Sequence, residues 1–135
     1  MIEADIVVFH DSFERCMATG PRFFDVFYDH FLRSSPEVSV KFRDADFNRQ
    51  KRMLRFSLYK MVAAVVSHSV DCSPLGPIAQ RHARADRDIP PHLYALWLDS
   101  LIEAVRTCDP HFDAVTEKTW REAMQPGIDY IVSFY

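Results

Sequence analysis

RFFDVFYDHFLRSSPEVSVKFRDADFNRQ, residues 22–50, sets a helical frame for the whole chain. Phe24, Phe27, Tyr28 and Phe31 recur at i, i+3, i+4 and i+7, the spacing that puts side chains on one face of an α-helix. Pro21, just ahead, suits the first turn of that helix because its missing N–H would have no partner there. Ser34-Ser35-Pro36-Glu37 closes the helix and opens a short helical turn toward Phe42. Asp44 to Phe47 is a polar connection, and apolar residues at helical spacing resume beyond it.

The same period runs outward in both directions. Upstream, Ala18-Thr19-Gly20-Pro21 ends a first helix over about residues 4–18. Downstream, a long helix near 48–67 carries Leu54, Leu58, Met61 and Val65 on its inner stripe, with polar Gln50 at the head. Asp71 to Pro77 reads as a loop, and a short helix near 77–85 contains His82. Asp86-Arg87-Asp88 forms a charged connection. Pro90-Pro91 then opens a helix with Tyr94, Trp97, Leu101 and Val105 inward, and Asp109-Pro110 breaks it. The last helix starts near Phe112, with Trp120, Met124, Ile128 and Ile131 as its stripe. Pro126 lies inside it, and a proline there removes a backbone donor and crowds the preceding turn, which predicts a kink or break. Three glycines are few for strands joined by tight turns. No segment alternates with period two, so the expectation is a single all-α domain over 1–135, with about six main helices plus short pieces.

Composition narrows the function classes. The formal net charge of −3 gives no overall basic character of the kind that phosphate backbones require, so no nucleic acid is expected as a partner. The densest basic run, Arg49 to Arg55, reads as a solvated helix edge. Cys16, Cys72 and Cys108 are widely spaced and odd in number, which argues against a disulfide framework. The start of the chain has early acids and no signal-peptide pattern. No run approaches the roughly 20 apolar residues of a membrane span, so the expected setting is cytoplasmic, with no membrane partner. There is no GxGxxG, no P-loop and no HExxH. His10, His30, His68, His92 and His111 lack metal-cluster spacing. Any chemistry has to come from a bound cofactor or from residues assembled in space.

Four features follow one another in order: Phe27-Tyr28, Pro36 with Phe42, Gln50, and Ile78-Ala79-Gln80-Arg81-His82. Tyr28 precedes Pro36 by 8 residues, Pro36 precedes Phe42 by 6, and Gln50 precedes His82 by 32. From about Phe23 to Val105 this pattern resembles the bacterial branch of the globin family, the single-domain hemoglobins and the globin domain of flavohemoglobins. The resemblance implies a globin fold, with a heme b pocket between the helix near 48–67 and the helix near 77–85. It implies His82 as the protein ligand to iron, and Tyr28 and Gln50 as distal hydrogen-bond donors. Phe42, Leu54, Ile78, Tyr94 and Trp97 become further cofactor contacts. Taken alone, each residue has a plainer reading. His82 beside Arg81 and Arg84 could be an exposed histidine, Tyr28 a core tyrosine, Gln50 a solvated helix start, and Phe42 simple packing.

The chain also departs from that pattern. In flavohemoglobins a glutamate of the last helix works with the tyrosine matching Tyr94, whereas here the comparable stretch, Ile131 to Tyr135, has none. That argues against peroxidase-like or dioxygenase tuning. The connection from Phe42 to Gln50 is shorter than in flavohemoglobins, and that from His82 to Tyr94 is longer. The resemblance first implies reversible binding of dioxygen or another diatomic gas. A nitric oxide dioxygenase served by a reductase in trans is a second reading, and a gas sensor acting through a partner protein is a third. A heme-free helical module is the last. The apolar stretch GIDYIVSFY (127–135) is either a homodimer surface or the buried end of the last helix.

Overall fold

The computed structural model describes residues 1–69 and 71–135. Seven α-helices form among the described residues, with no strand: α1 (Glu3–Met17), α2 (Arg22–Arg33), α3 (Pro36–Lys41), α4 (Phe47–Val66), α5 (Gly76–His82), α6 (Leu93–Cys108) and α7 (Ala114–Val132). A 3₁₀ turn over Ser73–Leu75 leads into α5. Five helices are long and two are short.

Side-chain caps set several boundaries. The Ser35 hydroxyl accepts from the Glu37 N–H and Pro36 occupies the first turn of α3, so the short helix starts with fewer orphan donors. Asp46 caps α4 by accepting from the Arg49 N–H, and Asp113 caps α7 by accepting from the Thr116 N–H at 2.8 Å.

Helix faces follow the apolar stripes. Phe23, Phe24, Phe27, Tyr28 and Phe31 of α2 are all buried, and α2 lies against α6. Trp120, Met124, Ile128 and Ile131 of α7 are buried as well, facing α1, α4, α5 and α6. The end of α7 therefore turns its isoleucines into the core. All three cysteines are free thiols, and burial pushes Cys16 up to about 12.

Two expectations change. α7 runs unbroken from Ala114 to Val132 with Pro126 inside it. Pro126 and Glu122 are both exposed, so the Glu122 carbonyl that loses its helical partner faces water, where that loss costs little. Gly127 explains why the chain keeps its path here. A Cβ on it would stand 2.7 Å from Met61 Cε and 3.2 Å from Leu75 Cδ1, so glycine permits close approach of α7 to α4 and the 3₁₀ turn. The second change is that α5 ends at His82 rather than near 85. Ala83 is extended, and the following loop folds back, with Arg87 N–H on the Arg81 carbonyl and Ile89 N–H on the His82 carbonyl. These bonds take the carbonyls that another helical turn would have used.

Candidate functional site

A cavity of about 320 Å³ lies among α2, α4, α5, α6 and α7, with walls that are mostly apolar. Tyr28, Phe42, Gln50, Leu54, Ile78, His82, Tyr94 and Trp97, the eight residues singled out in the sequence, all line it. They come from α2, the end of α3, α4, α5 and α6, so only the folded chain brings them together.

His82 is the last residue of α5, and its Nδ1 lies 2.8 Å from the Ile78 carbonyl. A carbonyl can only accept, so Nδ1 carries the proton and the neutral ring keeps its lone pair on Nε2. Burial holds His82 below the ordinary histidine range. The charges of Arg87 and Arg81 push the same way, while the Ile78 hydrogen bond and Asp86 oppose them. The result is a neutral imidazole with one nitrogen fixed by the backbone and the other available as a ligand. The Tyr94 ring lies 6.4 Å from the His82 ring, and burial pushes its hydroxyl up to about 12.

On the opposite wall, Tyr28 is buried and burial raises its hydroxyl well above the ordinary range, so it stays protonated. It donates to the backbone carbonyl of Gln50 at 3.2 Å, longer than the usual hydroxyl–oxygen bond of about 2.7–2.8 Å. The link between Tyr28 and Gln50 therefore runs through the main chain, not through the glutamine amide. Phe42 meets Tyr28 edge-on at 6.0 Å and Phe31 at 5.8 Å, and stacks on Phe47 at 6.1 Å.

Several lining residues carried no signal for a site in the sequence. Met61, Ile128 and Ile131 read there as inner-stripe positions of their helices, and Met53 and Ser57 fell outside the stripes. Lys41, Lys60 and Arg81 add positive charge to the lining. A cation among apolar walls suggests an anionic ligand, but a single sequence gives no reason to connect these three. Among the described residues no carboxylate lines the cavity. Among the described residues no group of three or more His, Cys, Asp or Glu could hold a metal ion, and no helix is long and apolar enough to cross a membrane.

An all-helical fold around a large apolar cavity, with a histidine that ends a short helix in its wall, is the arrangement that the resemblance to globins implies. No protein-family model matches the chain, and no curated protein does. Among solved structures, a Pseudomonas aeruginosa protein described as structurally highly homologous to a human hemoglobin is 40% identical to it, with a TM-score of 0.89. The alignment covers 97% of this chain and 98% of that one. The chain belongs to the globin family.

Proposed function

We propose that residues 1–135 act as one heme-binding domain, with heme b in the main cavity and His82 as the protein ligand to its iron, and that the site reversibly binds dioxygen or another diatomic gas. The observation that carries this reading is the His82 Nδ1–H held on the Ile78 carbonyl at 2.8 Å, at the wall of an apolar cavity. A proximal ligand needs a neutral ring with a fixed tautomer, and a backbone acceptor supplies that.

The donor set fits this group better than a bare ion. With a single imidazole and no carboxylate among the described lining residues, the protein offers too poor a ligand set for a bare ion, and a macrocycle would supply the rest. A flat apolar ring suits walls of Phe42, Leu54, Ile78, Tyr94 and Trp97. Its carboxylates suit Lys41, Lys60 and Arg81, which would otherwise bring charge to an apolar lining without a counter-charge. The bound group supplies an iron centre that takes a diatomic gas. The chain's own residues exclude water, hold the imidazole tautomer, and offer the Tyr28 proton as a donor. That hydroxyl is held by one long bond to Gln50, so turning toward a polar ligand forfeits little.

Hemin titration followed by absorbance tests this reading. The expected result is one equivalent bound, with a sharp Soret band and a shifted spectrum when the reduced protein meets carbon monoxide. His82→Ala should change that spectrum by removing the protein ligand, and added free imidazole should restore it. A wild-type chain that takes up no hemin would overturn the heme reading. An unchanged spectrum in His82→Ala would overturn the assignment of the ligand.

A further inference from the structure

Charge is unevenly spread over this molecule. Between Lys41 and Arg87 lie ten of the 16 basic residues and only four of the 19 acidic ones. That segment has a local excess of six positive charges on a chain whose formal net charge is −3. It contains the α4 and α5 walls of the main cavity. α4 itself has no Asp or Glu. Its Lys51 pairs with Asp25 at 2.6 Å. Arg49, Arg52 and Arg55 make no ion pair among the described residues and are exposed. They stand three residues apart, so with Tyr59 they share the outward face of the helix. Phe56 joins this face: it is 62% exposed and also lines the cavity, which places the strip beside the cavity mouth.

Heme carboxylates do not account for this strip. The cations lining the cavity are Lys41, Lys60 and Arg81, and Arg49, Arg52 and Arg55 lie outside that lining. Lys60 is also engaged, donating to the Pro74 carbonyl at 2.9 Å and sitting 4.4 Å over the Phe56 ring. What remains is an exposed row of uncompensated arginines around two exposed aromatic rings. Arginine and aromatic side chains together make strong protein contacts. Two rings on one strip give little apolar area for insertion into a bilayer, so a protein fits better than a lipid surface.

We propose that the outward face of α4, centred on Arg52, Arg55 and Phe56, docks the acidic face of a one-electron donor protein of the iron–sulfur or flavin class. This rests on the heme reading above. In the step it serves, the donor loses one electron and ferric iron gains it to become ferrous, with no group or proton transferred. Opposed charges speed encounter by ten-fold or more at low salt, and screening removes that gain. The strip's place at the cavity mouth puts the docked donor next to the acceptor.

The test uses the full chain loaded with hemin and a reduced plant-type [2Fe–2S] ferredoxin, an acidic one-electron donor. The second-order rate of ferric reduction should fall steeply with added sodium chloride. The double reversal Arg52→Glu with Arg55→Glu should lower it about ten-fold at low salt. The charge-matched control Arg106→Glu with Lys118→Glu, on α6 and α7, should change it less than two-fold. Calorimetry of the chain as purified against oxidised ferredoxin gives a readout that needs no iron. It should show salt-dependent binding, lost in the double reversal and kept in the control. A chain that takes up no hemin would remove the heme reading, while calorimetry would still judge the surface. With hemin bound, salt-independent reduction, or equal loss in the control, would overturn the docking surface. So would binding to phosphatidylserine vesicles through Arg52 and Arg55 without ferredoxin binding.

Discussion

Two regions of this small bundle treat buried space in opposite ways. Where α1, the end of α6 and α7 meet, large rings fill the interior: Trp120 is fully buried against Phe9 at 5.0 Å and near Phe23 at 6.3 Å. The polar groups there are matched. Asp109 accepts from Ser12 at 2.6 Å, from Arg15 at 2.6 and 3.0 Å, and from the His111 N–H at 2.8 Å. Trp120 Nε1–H donates to Ser12 at 2.9 Å. Around the cavity among α2, α4, α5 and α6, aromatic rings of similar size line an open space, and Phe42, Tyr94 and Trp97 are only half-buried. The comparison teaches that the aromatic load of this sequence serves two purposes. One set fixes the bundle, and the other shapes a cavity that the fixed bundle can hold open.

The largest expected effect lies in the filled region. Asp109→Ala would leave Arg15, Ser12 and the His111 N–H without their shared acceptor, and stripping one partner from a buried pair costs about 3–5 kcal/mol. Urea unfolding should show that loss, while hemin affinity of the folded fraction stays near wild type. A large loss of hemin affinity with unchanged stability would break the division between the regions. Acid supplies an independent check. Burial raises the Asp109 carboxyl, but the bonds from Arg15, Ser12 and the His111 N–H and the Arg15 charge outweigh it, so the net shift is downward. Its stabilisation is therefore complete above the unfolded value of about 3.9 and is lost as pH falls through the lower folded value. The variant should lack that part of the acid unfolding slope.

The next effect belongs to the cavity. Tyr28→Phe removes a donor whose present bond is long, so stability should change by less than about 1 kcal/mol. Dioxygen release, followed by stopped flow, should quicken about five-fold, the kinetic equivalent of one ordinary hydrogen bond. An unchanged release rate would mean that Tyr28 only spans α2 to Gln50. His82 gives a smaller and pH-limited effect. Because burial lowers its folded value, the unfolded chain binds a proton near pH 6.5 while the folded chain does not. Stability without hemin is therefore full above that pH and falls as pH drops toward the folded value, then levels off. His82→Ala should flatten this region of the curve.

The sequence made the two regions unequally legible. The stripe Phe24, Phe27, Tyr28 and Phe31 and the stripe Trp120, Met124, Ile128 and Ile131 encode burial directly, because helical periodicity is a local property. Six of the eight singled-out lining residues were legible as a site only through an ordered spacing that runs from Tyr28 to His82, and Tyr94 and Trp97 lie beyond it on the stripe of the next helix. Nothing in that spacing says that the space between them stays open, since a cavity is a property of all its walls at once. The end of α5 at His82 was hidden for a related reason. No glycine or proline follows His82 directly, and the helix stops because Arg87 and Ile89 return to take its carbonyls. The continuity of α7 through Pro126 depended on which side of the helix the freed carbonyl faces, a question settled only by packing.

Gly127 stands on the border of the two regions, and the smallest expected stability effect is also the sharpest test of their independence. Replacing it with alanine improves helix propensity by about 1 kcal/mol. The new Cβ would meet Met61 Cε at 2.7 Å and Leu75 Cδ1 at 3.2 Å. Met61 is unbranched and adaptable, and it also lines the main cavity, so its end can move into open space rather than strain the backbone. Gain and loss should then nearly cancel in the urea midpoint. The displaced methionine should narrow the cavity and slow hemin uptake. A clear loss of stability with normal uptake would show instead that Met61 is held by the filled region, and that the cavity wall near α7 is set by core packing.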